Sequence, residues 1–169
     1  VETAKPLAPA ASRWSKSDST VATVAYGYGI SVSPLHLISA YAAIVNGGVY
    51  HNPTVVQRDH PDEHGERIIS DSTSKQMRKL MRAVVTQGSG RRANVAGYEV
   101  GGKTGTANKL DEHGKYMNKK VRTTFISAFP ISAPQYALLV MMDEPKPIKE
   151  TFGFSTSGWN SVPTASEII

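Results

Sequence analysis

The sequence predicts an α+β fold in which helices pack against an antiparallel sheet. Two helix patterns occupy the first half of the chain, and three strand-like runs follow one another in the second half. The last two runs are joined by a short connection. Parallel strands need a long crossover, usually a helix, whereas antiparallel strands do not. The order of elements therefore favours an antiparallel sheet.

The predicted elements of the N-terminal part lead up to one buried helix. Residues 1–18 are rich in Ala, Pro, Ser and Lys and predict an extended connector, and residues 26–29 (Tyr-Gly-Tyr-Gly) predict a turn. Ser33 is a suitable N-cap, with Pro34 at the first helical position. Residues 46–48 (Asn-Gly-Gly) end this helix. Its apolar side chains lie on nearly every face, which is typical of a buried helix.

A second, amphipathic helix is predicted after a polar turn. Residues 49–70 predict short strands around a turn at 60–65. Asp71 or Ser72 is the expected cap of the helix, which ends at residues 87–90. Its apolar stripe has helical spacing and consists of Met77, Leu80, Met81 and Val84. The opposite side is basic and carries Lys75, Arg78, Lys79 and Arg82.

Three strands are predicted in the remaining sequence. They cover residues 99–107, 123–129 and 136–142, the last of which is a continuous apolar run. Residues 108–122 contain turn formers and are expected to make an excursion between the first two strands. Pro130 and Pro134 bracket the turn between the second and third strands.

Composition excludes several classes of protein. The chain has 169 residues, 40% hydrophobic and 20% charged, which suits one ordinary globular domain rather than a disordered chain. It has no Cys, so a disulfide framework, a thiol nucleophile and a zinc ribbon are impossible. His60 and His64 are four residues apart, but Pro61 lies between them and favours a turn over a metal pair. No metal site and no cofactor are therefore expected.

The net charge of +5 is unevenly distributed. The stretch from Lys75 to Arg122 holds 12 basic and 3 acidic residues, a pattern that can indicate nucleic-acid binding. Tyr98 and Tyr116 are the only aromatic residues in that stretch. Because single-stranded nucleic acid is bound by stacking bases on aromatic side chains, a solvated basic face is the favoured interpretation. Nucleic acid is not an expected partner.

One glycine-rich segment is the main candidate for chemistry, and two hypotheses compete for it. Residues 97–104 match the phosphate-binding pattern G-x-x-x-x-G-K-[ST], and the apolar run ending at Asp143-Glu144 resembles a magnesium-binding strand end. That site requires a buried strand before the first glycine and a helix after the Lys-Thr pair. Residues 91–96 do not predict such a strand, and residues 105–114 make a poor helix. Nucleotide binding is therefore the weaker hypothesis.

The second hypothesis is acyl transfer to a serine. Lys103-Thr104-Gly105 matches the K-T-G element of penicillin-binding proteins and serine β-lactamases. A lysine supplies positive charge beside the carboxylate of a substrate, and a threonine hydroxyl can donate a hydrogen bond to that carboxylate. Glycine leaves room for a ligand against the backbone, and the next backbone N–H can stabilise an oxyanion.

The surrounding sequence strengthens this hypothesis. The segments that carry the resemblance are residues 26–37, 41–48, 81–85, 97–107, 143–145 and 152–153. Together they resemble class B penicillin-binding proteins, above all the division-specific peptidoglycan D,D-transpeptidases. The resemblance covers most of the chain from Trp14 onward. It implies a penicillin-binding/serine β-lactamase-like fold, and β-lactam sensor domains, which share that fold, remain an alternative.

The resemblance also implies roles for individual residues. Lys103 would support the electrostatics of the site, and Thr104 and Thr106 would bind the substrate carboxylate. Gly105 would leave space for the substrate, and the backbone N–H of Thr106 would form half of the oxyanion hole. Partners implied by the family are peptidoglycan stem peptides, β-lactam antibiotics and cell-division membrane proteins. The parent protein would be anchored in the cytoplasmic membrane with this domain on its outer, periplasmic side.

Two further elements of the family are missing from the printed sequence. No S-x-N occurs, and the one S-x-x-K match, Ser72 to Lys75, lies in the wrong order and is better explained as a helix cap. We therefore expect residues 1–169 to be the C-terminal portion of a transpeptidase domain, soluble by itself. Alone, it should be inactive. Apolar surface normally covered by the missing portion could make this piece self-associate.

Overall fold

The computed structural model describes residues 3–14, 18–57 and 65–169. The helices are α1 (Ala11–Trp14), α2 (Asp18–Ala25), α3 (Pro34–Val45), α4 (Asp71–Thr86) and α5 (Ser161–Ile168). The strands are β1 (Val49–Tyr50), β2 (Glu66–Arg67), β3 (Gly101–Leu110), β4 (Tyr116–Phe129) and β5 (Tyr136–Asp143). Short 3₁₀ turns form at Arg91–Ala93, Lys149–Thr151 and Ser157–Trp159. No helix in the described ranges is both long and apolar enough to cross a bilayer.

The central sheet confirms the predicted fold class. Its strand order is β3-β4-β5, with both pairs antiparallel, so β3 is an edge strand. The excursion predicted at residues 108–122 is much shorter, because β3 and β4 continue as a long hairpin closed by a turn at residues 111–115. A small separate pair of β1 with β2 confirms the short strands predicted in residues 49–70.

Apolar side chains cover both faces of the sheet. One face presents the fully buried Phe125 to α5, whose Val162 and Ala165 pack against it. The other face presents Ile126 and Ala128 to a cluster that includes Tyr41 of α3 and Met81 of α4. Helix α4 also packs along β3, with Val85 in the first cluster and Met81 in the second. Packing against α4 thus holds the edge strand in place, while the residues at the centre of the strand stay accessible.

The helix caps agree with the sequence in one case and correct it in another. Ser33 caps α3 as predicted, its Oγ accepting a hydrogen bond from the backbone N–H of His36 at 3.2 Å. The cap of α4 is Ser70 rather than Asp71 or Ser72, because Ser70 has extended backbone angles and its Oγ accepts from the N–H of Thr73 at 3.1 Å. Ser72 lies inside the first turn of α4. The ends predicted at residues 46–48 and 87–90 are confirmed.

The N-terminal segment differs from an extended connector. Residues 11–14 form the helical turn α1, and the backbone of Leu7 pairs with that of Ser31 through two hydrogen bonds of 2.8 Å. These bonds fix the segment against the turn that follows α2. Most of the polar turn predicted at 60–65, with His60 and His64, lies outside the described residues.

Candidate active site on the edge strand

The candidate residues alternate between the two faces of β3. Lys103 is paired with Ile126 of β4 and Thr104 with Phe125, while Thr106 is paired with Thr123. Directly paired residues of an antiparallel ladder point to the same face. Lys103 therefore lies on the face covered by α3, and Thr104 and Thr106 lie on the face covered by α5.

Close packing of β3 on β4 depends on glycine. A Cβ at Gly102 would lie 2.5 Å from the carbonyl oxygen of Ile126 and 2.7 Å from Cζ of Phe125. A Cβ at Gly105 would meet the hydroxyl of Thr124 at 2.5 Å and no other atom closer than 3.9 Å. A side chain at Gly102 would therefore clash with the backbone of β4, whereas one at Gly105 would meet only the side chain of Thr124.

Both candidate threonine hydroxyls are held by neighbouring serines. Oγ1 of Thr104 is hydrogen-bonded to Oγ of Ser89 at 2.7 Å, and Oγ1 of Thr106 accepts from the backbone N–H of Ser157 at 3.1 Å. Ser89 follows α4, and Ser157 precedes α5. These contacts place the two hydroxyls along one wall of a groove. Neither serine is predicted as a site residue by the sequence pattern, and the turn formers at residues 87–90 are the only local signal, for Ser89.

The groove beside the threonines is polar and positively charged. Its volume is about 340 Å³, and Arg92 and Trp159 line it with the two threonines. The guanidinium carbon of Arg92 lies 3.8 Å from the centroid of the Trp159 ring, a cation–π contact that holds the charge in position. The arrangement suits a ligand that carries a negative charge.

Lys103 is exposed on the edge strand. Its Nζ donates a hydrogen bond of 2.8 Å to the carbonyl oxygen of Thr104. At the beginning of the strand, the hydroxyl of Tyr41 donates to the carbonyl oxygen of Gly101 at 3.0 Å, and burial raises the pKa of Tyr41. Helix α3 is thus tied directly to the strand that carries the lysine.

The far end of β3 is fixed by the 26–29 turn and by ion pairs. The N–H of Asn108 donates to the hydroxyl of Tyr28 at 3.3 Å, and the Tyr28 ring packs edge-on against Tyr116. Nζ of Lys109 lies 2.9 Å from Asp143 and 2.8 Å from Glu144. Hydrogen bonds from Lys109 hold the pKa of each carboxyl below its ordinary value. The predicted strand end at Asp143 is confirmed, and both carboxylates have a structural partner.

The nucleotide-binding hypothesis is wrong. Residues 101–110 form a continuous strand, whereas a phosphate-binding loop requires a helix to begin directly after Lys103-Thr104. The sheet is antiparallel, so it lacks the crossover of a nucleotide-binding unit. Within the described residues, no group of three His, Cys, Asp or Glu side chains is placed to hold a metal ion.

Comparison with known proteins identifies the family. A sequence model of a protein family, described as the penicillin binding protein transpeptidase domain, matches residues 7–168. The chain belongs to the penicillin-binding protein transpeptidase family. The chain is similar to the probable peptidoglycan D,D-transpeptidase FtsI of Caulobacter vibrioides, at 39% identity over 99% of this chain and 29% of that protein's length. The chain therefore spans about three tenths of that relative.

Solved structures of penicillin-binding proteins have the same fold. The transpeptidase domain of Burkholderia pseudomallei penicillin-binding protein 3 superimposes with a TM-score of 0.78 at 36% identity, covering 92% of this chain and 46% of that one. Penicillin-binding protein 3 of Mycobacterium tuberculosis, complexed with ampicillin, gives 0.81 at 27% identity, with coverage of 96% and 39%. The predicted resemblance is confirmed, and these relatives do not favour the sensor alternative.

Ser72 does not cap α4 as the sequence predicted, but it has no place in the candidate site either. It is exposed in the first turn of α4, and its Oγ is hydrogen-bonded to Oγ of Ser70 at 2.9 Å. Lys75, the other end of the S-x-x-K match, forms an ion pair of 2.6 Å with Asp71. Neither side chain lies in the groove that contains Thr104 and Thr106.

Proposed function

We propose that this chain supplies the carboxylate-binding strand of a peptidoglycan D,D-transpeptidase. The observation that carries the proposal is the display of Lys103-Thr104-Gly105-Thr106 on an edge strand beside a cationic groove. In the proposed reaction, a serine supplied by another part of the enzyme attacks the penultimate D-Ala carbonyl of a stem peptide and expels the terminal D-Ala. The resulting ester passes its acyl group to an amine on a neighbouring stem.

The roles of the threonines rest on their hydroxyls. The substrate ends in a carboxylate, which accepts hydrogen bonds only. Thr104 and Thr106 point to the same face. The Thr106 hydroxyl accepts from the N–H of Ser157 and keeps its own proton to donate, and the Thr104 hydroxyl can donate to the carboxylate while it accepts from Ser89. Lys103 and Arg92 add positive charge on either side of the strand, which strengthens these bonds.

The pairing of the edge strand supports the oxyanion role that we propose for the Thr106 N–H. Backbone groups of residues two apart in an antiparallel strand point the same way, because hydrogen-bonded and non-hydrogen-bonded pairs alternate. The carbonyl of Thr104 accepts from a lysine side chain, which places the Thr104 backbone on the outer edge. The N–H of Thr106 then shares that edge, where it can donate to a carbonyl oxygen as negative charge develops during attack.

We further propose the setting in which the enzyme works. The ampicillin complex of the mycobacterial relative supports β-lactams as ligands of this site, and the name of the Caulobacter relative supports a role in peptidoglycan synthesis. The resemblance to division-specific transpeptidases extends this proposal to septal cell-wall synthesis. The site would face the periplasm, where stem peptides are cross-linked, and membrane proteins of cell division would be its partners.

Fluorescent penicillin tests the proposal. A polypeptide extended to include an S-x-x-K and an S-x-N element should form a covalent adduct, whereas residues 1–169 alone should not. In the extended protein, Thr104→Val and Lys103→Gln should each lower the second-order acylation rate by about tenfold or more, the scale of losing one charge-assisted hydrogen bond. Lys115→Gln, which changes an exposed lysine of the hairpin turn, is the matched control. Unchanged acylation in both site variants, or an adduct on a serine of residues 1–169, would contradict the proposal.

A further inference from the structure

A second cationic site lies on the outer face of α4, away from the threonine groove. The cleft has a volume of about 490 Å³ and is bounded by helix α4 on one side and the β4–β5 connection on the other. Four cations from successive turns of the helix line it, and these are Lys75, Arg78, Lys79 and Arg82. The remaining lining residues are Glu99, Ile131 and Ser132.

Two of the cations are fixed in place by the backbone. One terminal nitrogen of Arg78 donates to the carbonyl oxygen of Ser132 at 2.8 Å, and one of Arg82 donates to that of Val100 at 2.7 Å. A guanidinium has five N–H donors, so each arginine retains donors for another acceptor. The two guanidinium groups are thus oriented before any ligand binds, which reduces the conformational entropy lost on binding.

The acidic residue in the cleft is bonded to a serine and not to the arginines. The carboxylate of Glu99 accepts a hydrogen bond from the hydroxyl of Ser132, and no ion pair joins it to a cation in the described ranges. Glu99 has a φ of +47°, a left-handed conformation that is unfavourable for a residue with a side chain. Lys75 is paired with Asp71, whereas Lys79 is exposed and has no ion-pair partner among the residues that the structure describes.

The spacing of the cations indicates the length of the ligand. Lys75 and Arg82 are seven residues apart on α4, which corresponds to about 10 Å along the axis at 1.5 Å per residue. An extended peptide covers the same length in about three residues. Arginine forks bind carboxylates with two parallel hydrogen bonds, whereas a flat membrane surface would not reach arginines on the wall of a cleft.

We propose that this cleft is a docking site for an acidic, extended peptide segment of a partner protein. Two of its carboxylates, at alternate positions, would bind Arg78 and Arg82 inside the cleft, with Lys79 at the rim beside the carboxylate on Arg78. The site is separate from the threonine groove, so the proposal does not depend on the transpeptidase function.

Fluorescence anisotropy of a labelled peptide tests this site on the 169-residue chain. The probe is an eight-residue peptide in which glutamate alternates with threonine, and the comparison peptide has glutamine in place of glutamate. We expect the glutamate peptide to bind and its affinity to fall as salt is added. Arg78→Gln should weaken binding by about tenfold, and Lys79→Gln should weaken it by about threefold.

Lys115→Gln is the control, because it removes one exposed positive charge from the β3–β4 turn and should leave the affinity unchanged. Arg78 also bonds to Ser132, so its variant is checked by circular dichroism, while Lys79→Gln provides a variant that breaks no internal bond. Equal binding of both peptides, no binding of either, or an equal loss in the Lys115 variant would overturn the proposal. Binding to phosphatidylglycerol vesicles in place of the peptide would also overturn it.

Discussion

Replacing Gly102 by alanine tests how closely the edge strand must approach its neighbour. The added Cβ would lie 2.5 Å from the carbonyl oxygen of Ile126, and real Cβ atoms essentially never come closer than 3.0 Å. The second obstacle, the Phe125 ring at 2.7 Å, is fully buried and cannot turn away. Strand β3 must therefore move away from β4.

The expected cost combines two opposing effects. Inserting a methyl group into a filled core destabilises the fold by about 1–3 kcal/mol. Alanine also reduces the conformational entropy of the unfolded chain, which stabilises the folded state by about 0.4–1 kcal/mol. We therefore expect Gly102→Ala to lower the free energy of unfolding by about 1–2 kcal/mol, with the Tm falling by roughly 2–4 °C for each kcal/mol.

Gly105→Ala is the matched control on the same strand. Its Cβ would meet one hydroxyl, that of Thr124, and a side-chain rotation can remove this contact. Its free energy of unfolding should stay within about 0.5 kcal/mol of the original. Urea unfolding followed by circular dichroism measures both variants. The reasoning is refuted if Gly102→Ala unfolds at the original urea midpoint, or if the two variants are equally destabilised.

Three other predictions test the core, a helix cap and an ion pair. Phe125→Ala should lower the free energy of unfolding by about 3–5 kcal/mol in urea, since the ring is fully buried. Ser70→Ala should cost about 1 kcal/mol and Ser72→Ala much less; the reverse order would contradict the cap seen here. Lys109 lowers the pKa of Glu144 in the folded chain, so the resulting stability is present above the ordinary glutamate pKa and is lost as pH falls through the folded value. The Tm of Lys109→Met should therefore decline less on acidification from roughly pH 5 to pH 2 than that of the original chain, and parallel curves would argue against this pairing.

Local signals in the sequence were sufficient to predict an element where the residue pattern fits only one local structure. Ser33 followed by Pro34 fits a helix start and little else, and the structure places the cap there. At the start of α4, by contrast, Ser70, Asp71 and Ser72 are all good caps. Only the backbone angles of the folded chain decide among them.

The length of the β3–β4 hairpin could not be predicted from the sequence, for a different reason. Residues 116–121 have three polar residues in succession and lack an alternating apolar pattern, so they do not predict a strand. They are held by pairing with the end of β3 and by the contact of Tyr116 with Tyr28, which is far away in sequence. The serine partners of Thr104 and Thr106 are also contacts between distant segments, which periodicity cannot reveal.

The position of Lys103 has a consequence for solubility. A strand with an open side offers its backbone to any other extended chain, so two copies can join edge to edge and start aggregation. In the proposed function, a substrate needs that same open side, so the protein cannot simply cover it. A charged lysine whose amine already occupies the carbonyl of Thr104 makes pairing with a second copy unfavourable while leaving room for a small ligand. The residue proposed to attract the substrate therefore also keeps other strands away.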